Sequence, residues 1–208
     1  MKNSNQIKQI GSYYQHNAIH KEPIEWIILD DNTYNEILIS RYILACQPYH
    51  NEFIDTTWNE SWLRYWLNYV FIKLAFSDRE QECLDNFTCV PHNNSLFSTR
   101  QGYYSIDRVF ILSEWEYNCY LKERGNCLAT PYAIKDGCWI NNEDNSSIYN
   151  DCALWWLRTM GGYNKRASFI GSFGRVNNYG WHIDNGGTGV RPCILLNKKK
   201  YMDIRFCY

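Results

Sequence analysis

Trp155-Trp156-Leu157-Arg158 and, after 30 intervening residues, Gly189-Val190-Arg191-Pro192 with the apolar run Cys193 to Leu196 behind it decide how this chain is read. Neighbouring residues of a strand face opposite ways, so Trp155 and Trp156 demand cover on both sides of one sheet and mark its centre. A guanidinium is planar and carries five N–H donors. Set among such strands, Arg158 and Arg191 are expected to be buried and to pin the carbonyls of several turns. The four residues read as structural anchors, and a binding surface has to be sought around them.

Upstream, Glu25 to Asp30 and Glu36 to Ser40 are short apolar runs on either side of Asp30-Asp31-Asn32, which predicts a β-hairpin. Leu63, Trp66, Leu67, Val70, Phe71 and Leu74 recur at three- and four-residue steps and so share one helix face. Thr57 precedes Glu60, Ser77 precedes Glu80 and Ser113 precedes Glu116 by three residues, the spacing of a capping box. Helices are therefore predicted to begin at all three, the later two covering Asp78 to Leu84 and Glu114 to Leu121. Arg108 to Leu112 reads as a buried strand that runs into the third helix. Beyond about Gly125 glycine, asparagine, serine and tyrosine take over and helical periodicity ends. Strands are predicted there at Cys152 to Arg158, Ala167 to Gly171 and Val190 to Leu196, with glycine-rich turns between them. Helices first and an irregular sheet afterwards give the α+β class: an irregular antiparallel sheet, two to three flanking helices and a long loop-rich C-terminal half.

The 208 residues fit one domain, residues 1–20 forming an N-terminal strand or arm and 198–208 a C-terminal tail. Lysine and arginine total 21 against 22 aspartates and glutamates, which leaves no field to draw nucleic acid or an anionic membrane. Met1 to Ser12 is polar, and no stretch approaches the ~20 apolar residues of a membrane span, so the expected location is cytoplasmic. Nine cysteines, odd in number and scattered, predict free, mostly buried thiols.

Several segments in order resemble an uncharacterised bacterial domain family of C-type lectin-like fold: Ile10 to Tyr13, Pro23 to Trp26, the Thr57 to Asn68 region, Val109 to Ser113, Trp155 to Arg158 and Gly189 to Pro192. The last two also look like the ending of the formylglycine-generating enzyme (sulfatase-modifying factor) family, which shares that fold. The chain departs from the pattern at Thr159-Met160-Gly161, where Ser-Pro-Gly is expected, and at Cys193, where a small apolar residue is usual. The resemblance implies a sheet with flanking helices in which an irregular excursion between late strands forms the binding face.

Metal and cofactor chemistry lack the residues they need. Calcium wants six to eight oxygen ligands, and Asp184 with Asn185 is too small a set. No close Cys or His pair offers a zinc site. His16, His20, His50, His92 and His182 are too scattered for an iron-binding triad. A thiol enzyme of the formylglycine-generating type would draw on Cys138, Cys152 and Cys193, of which Cys193 sits in an apolar strand and reads as a small buried hydrophobe. No cofactor and no metal are expected. Nucleophile elbows, phosphate loops and dinucleotide fingerprints are missing from the sequence.

What remains is Tyr163 to Asn185, in which Tyr163, Asn164, Ser168, Phe169, Ser172, Asn177, Asn178, Tyr179, Trp181, His182, Asp184 and Asn185 crowd among glycines. Tyrosine and tryptophan supply rigid contact area, while serine, asparagine and glycine supply adaptable hydrogen bonds, the composition of a binding surface. In some C-type lectin-like proteins the corresponding stretch is diversified by retroelements into this alphabet, so the resemblance implies a variable protein. The expected function is a non-enzymatic module that recognises a protein or a glycan through these twelve residues. A cysteine-dependent oxidase of the same fold is the alternative.

Overall fold

The hairpin predicted around Asp30-Asp31-Asn32 anchors the first sheet of the computed structural model, which describes residues 7–122, 124–140 and 151–205. Met1 to Gln6 of the N-terminal arm and Phe206 to Tyr208 of the tail lie outside the described residues. The strands are β1 (Ile7–Tyr14), β2 (Lys21–Asp31), β3 (Asn35–Ser40), β4 (Ala45–Cys46), β5 (Leu84–Asp85), β6 (Phe87–Cys89), β7 (Ser105–Asp107), β8 (Val109–Phe110), β9 (Trp155–Met160), β10 (Arg166–Ile170), β11 (Val176–His182), β12 (Gly189–Val190) and β13 (Cys193–Asn197). The α-helices are α1 (Trp62–Tyr65), α2 (Ile72–Ala75), α3 (Asp78–Glu82), α4 (Glu114–Tyr120), α5 (Pro131–Lys135) and α6 (Lys198–Arg205).

The first sheet runs β1-β2-β3-β13-β5, with β8 also paired to β13, and the second runs β11-β10-β9-β12-β4, while β6 and β7 form a separate ribbon. Pairing is antiparallel except between β12 and β9, so the molecule is α+β with mostly antiparallel sheets. Asn32 closes the hairpin as its side-chain oxygen accepts from the amides of Tyr34 and Asn35, both at 2.9 Å. Ile28 then stands opposite Leu38. No helix among the described residues is long and apolar enough to cross a membrane.

The run expected as one strand from Val190 to Leu196 is two. Pro192 has no N–H for a ladder and breaks the run after Arg191, so β12 serves the second sheet and β13 the first. This crossover is stitched to β3: Ser40 donates to the Pro192 carbonyl at 2.9 Å and Arg191 Nε donates to the Ser40 carbonyl at 2.9 Å. Arg191 also lies over Trp155, 5.2 Å from the ring centroid. Trp155 and Trp156 are both fully buried, as adjacent large residues of a covered strand must be. The Trp155 ring nitrogen donates to the Gly125 carbonyl at 2.8 Å and that of Trp156 to the Gln47 carbonyl at 3.0 Å, so neither polar tip is left unpaired. The strand itself begins at Trp155 rather than at Cys152 and extends to Met160. Cys152 and Ala153 make isolated bridges instead.

Capping boxes are present at Ser77 with Glu80 and at Ser113 with Glu116. At Thr57 there is none. Its hydroxyl turns to the Asn59 side chain at 2.8 Å, only a short 3-10 turn comes next, and Ser61 caps α1 by accepting from the Arg64 amide at 3.2 Å. Between α1 and α2 the turns Trp66–Phe71 are π-helical. Each such turn holds an extra residue and so rotates the helix beyond it. Leu63, Trp66, Leu67 and Phe71 are buried as the periodicity requires, but past the wide turns Ile72 and Ala75 face inward and Leu74 faces out. The residues from Lys198, expected as a C-terminal tail, form α6, which buries Tyr201.

Candidate functional site

The stretch Tyr163 to Asn185 is mostly sheet rather than loop. β10 and β11 pair antiparallel, Arg166 opposite His182 and Ala167 opposite Trp181, with a bulge between Ala167 and Phe169. Gly180 makes the bulge possible: its φ is +82°, and a Cβ there would stand 2.5 Å from the Ala167 carbonyl oxygen. The bulge re-aims the end of the strand so that Tyr179, Arg166 and His182 emerge on one face.

Arg166 is the centre of that face. Its guanidinium lies 4.4 Å from the Tyr179 ring and 5.5 Å from the Tyr163 ring. Nη1 donates to the Gly180 carbonyl at 2.8 Å, Nε to the Tyr163 hydroxyl at 3.1 Å, and Nη2 lies 2.7 Å from His182 Nε2. His182 in turn meets Phe53 at 4.9 Å between centroids, and Lys165 lies 5.2 Å from the Phe53 ring. On the other side Phe97 stands 5.8 Å from Tyr179. The result is one track: Lys165, Phe53, His182, Arg166, Tyr179, and then Tyr163 and Phe97. Phe53, Tyr163 and Tyr179 remain 41%, 39% and 49% exposed, so the track is open to solvent along its length. Among the described residues no carboxylate pairs with Lys165 or Arg166.

A segment from well upstream flanks this face. Buried Asn94 donates to the carbonyls of Met160 at 3.0 Å and Asn178 at 2.8 Å while its oxygen accepts from the amides of Leu96 and Phe97. One amide thus fixes the Asn94 to Phe97 turn against β9 and β11. Leu96, in that turn, is strongly exposed.

The twelve residues expected to bind divide accordingly. Tyr163, Asn177, Tyr179, His182 and Asp184 are exposed, and Ser172 is half-buried. Ser168 and Phe169 are corrections: both are buried, Ser168 beneath Asn94, whose side chain donates to its hydroxyl at 3.3 Å, and Phe169 against Trp181 at 5.8 Å on the opposite side of the strand. Trp181 points opposite to Arg166, edge-on to Trp139 at 5.3 Å and Phe169 at 5.8 Å, and is half-buried. Asn164 and Asn178 spend their amides on other segments of the protein, Asn164 on the Thr56 and Arg100 carbonyls and Asn178 on Ser95, while the Asn185 side-chain oxygen accepts from the Gly187 amide within its own turn. Phe53, Phe97, Lys165 and Arg166 stand outside the expected set. None of the four is singled out by sequence, since Arg166 shares the stretch between Tyr163 and Tyr179 with Arg175.

The structural motif residues hold the platform. Arg158 is 4% exposed, forms a bidentate pair with Glu116 and donates to the Ile111 carbonyl at 2.8 Å. Spacing alone gives Glu116 only a capping role. It performs both, because its Oε2 also accepts from the Ser113 amide at 2.9 Å. The thiols considered for the alternative chemistry are all buried. Burial pushes the Cys152 and Cys193 thiols up, and Cys138 is held protonated by the neighbouring Cys46 thiol and by burial. Among the described residues no group of three or more histidine, cysteine or acidic side chains converges as a metal site would require.

A family model described as a domain of unknown function (DUF6273) matches residues 34–198. No curated protein and no solved structure matches the chain.

Proposed function

This chain belongs to the DUF6273 family, and we propose that it is a non-enzymatic recognition module that binds a protein or a glycan through the face centred on Arg166. One observation carries this reading: a guanidinium fixed by two rings and three polar contacts, bordered by half-exposed aromatic side chains and without an acidic partner among the described residues. Rings and a held guanidinium lose little freedom when a ligand settles on them, which is what makes tyrosine and arginine effective anchors. The unused guanidinium N–H groups can take a carboxylate or a carbonyl of the ligand. Two curled, mostly antiparallel sheets joined at Arg191-Pro192, with the face on the late strands, support assignment to the C-type lectin-like fold. If the face is diversified between copies of the gene, variation belongs at the exposed Tyr163, Asn177, Tyr179, His182 and Asp184, and not at the buried Ser168 and Phe169.

The test is a screen of the full chain and its Tyr179→Ala variant against a glycan array and an array of folded protein domains. Probes held by the unaltered chain and lost by the variant support the reading. No retained probe, or retention indifferent to Tyr179, contradicts it.

A further inference from the structure

We propose that Cys46 and Cys138 are a redox-modifiable pair that closes to a disulfide beneath the Asn185 to Thr188 turn. Cys46 ends β4 and Cys138 lies just past α5; they are 4% and 5% exposed. Two contacts bring Cys138 Sγ to the Cys46 end of β4. Cys138 Sγ reaches the carbonyl of Ala45, the residue before Cys46, at 3.8 Å. Gly189, the ladder partner of Cys46, lies so close that a Cβ on it would stand 3.1 Å from Cys138 Sγ. In keeping with this, the neighbouring Cys46 thiol is the largest influence pushing the Cys138 thiol up, ahead of burial. Sulfurs placed at one junction of β4, β12 and the end of α5 need only a local closing movement to reach the ~2.05 Å of an S–S bond.

The oxidant is a peroxide. One thiol loses its proton and its sulfur attacks a peroxide oxygen, giving a sulfenic acid and, with that proton, one water; the second sulfur then displaces the sulfenic oxygen as another water. Two thiols and one hydrogen peroxide thus give one disulfide and two waters, each sulfur giving up one electron. Because the neighbouring Cys46 thiol and burial hold the Cys138 proton, the rate-limiting supply is thiolate.

Oxidation changes more than the sulfurs. Cys46 donates its S–H to the Gly186 carbonyl at 2.8 Å and to that of Thr188 at 3.6 Å, and a disulfide has no hydrogen to give. The turn loses that tether. Trp139 packs on the same turn, its amide donating to the Gly187 carbonyl at 2.9 Å, and its ring meets Trp181 edge-on. Closure is therefore felt at the Trp139–Trp181 corner, behind the Arg166 face. An effect on ligand binding rests on the function proposed above; the disulfide and its effect on the turn do not.

The test treats the folded full chain with hydrogen peroxide, alkylates the remaining thiols and maps peptides without reduction. The expected result is a Cys46–Cys138 linked peptide, reversed by dithiothreitol, forming about tenfold faster per pH unit below the thiol pKa. A change in tryptophan emission should accompany it and disappear in a Trp139→Phe variant. Cys46 and Cys138 recovered as separately alkylated peptides, or linked only after unfolding in urea, would overturn the pair while leaving the recognition face untouched. A link that forms with emission unchanged would overturn its coupling to the turn.

Discussion

Replacing Arg158 with methionine removes a charge from the centre of the second sheet while keeping most of the side chain's apolar volume. The variant strands Glu116, 4% exposed, without its counter-ion and takes the 2.8 Å donor from the Ile111 carbonyl. Removing one partner of a buried ion pair costs ~3–5 kcal/mol, the bare carbonyl adding to it. Glu116 keeps one bond, from the Ser113 amide, so the expected loss is about 4 kcal/mol rather than more. Glu116→Gln alone leaves a buried guanidinium and should cost a similar amount. In the Arg158→Met, Glu116→Gln double variant no buried charge remains at the pair, and glutamine still accepts from Ser113. Its loss should be smaller than the sum of the singles by ~2–3 kcal/mol, the coupling expected of residues in contact. Urea unfolding of the four proteins, followed by circular dichroism, measures all three differences. A single variant losing less than ~1 kcal/mol, or a double variant that simply adds, would show that the pair does not anchor β9 to α4.

Trp181→Ala and Tyr179→Ala should part company in calorimetry. Trp181 loses half-buried edge contacts to Trp139 and Phe169 at ~0.5–1.5 kcal/mol each and melts roughly 4–8 °C lower, whereas Tyr179, whose contacts with Arg166, Phe97 and Tyr163 lie open to solvent and count for less, stays within about 4 °C. Equal drops would place both rings in the core. His92 stacks on Trp115 at 4.7 Å, and burial pulls its pKa below the usual histidine value. Because the unfolded chain then takes up the proton more readily, His92's contribution is present above about pH 6.5 and lost as pH falls through its lowered value. The urea midpoint of His92→Phe should accordingly fall less between pH 7 and pH 5 than that of the unaltered chain; identical slopes would remove His92 from the account. Asn94→Ala gives up its donors to the Met160 and Asn178 carbonyls, ~1 kcal/mol each, and should raise amide hydrogen exchange at Leu96 and Phe97 while sparing β9. Unchanged exchange there would mean the turn is held by other contacts.

The platform is more legible in the sequence than the face. Paired tryptophans and two arginines announce a covered sheet because burial leaves few alternatives for such side chains, and the capping boxes at Ser77 and Ser113 come from local spacing alone. The box at Thr57 fails because its hydroxyl has a nearer partner in Asn59, which no three-residue rule can see. Leu74 departs from its expected face because a π-helical stretch breaks the 3.6-residue step. The face is legible only in part. Composition gathers Tyr163, Tyr179 and His182, but the β10–β11 register is what sets His182 opposite Arg166, and the bulge at Gly180 is what turns Tyr179 to the same side. Phe53 and Phe97 arrive from more than 60 residues upstream through the long-range contacts of His182 and Asn94, and nothing local to either phenylalanine signals it. The asparagines that look like free ligand contacts are ties between segments, a distinction that depends on tertiary neighbours.

The rings and guanidinium around β11 are what a ligand of this protein should touch. The direct measurement is the dissociation constant of an array-selected probe for the unaltered chain and for an Arg166→Ala, Tyr179→Ala double variant shown by calorimetry to be folded. The account predicts a loss of at least about a hundredfold, ~2.7 kcal/mol, as expected when two anchors leave an interface. Equal constants for the two proteins would place binding elsewhere and contradict it.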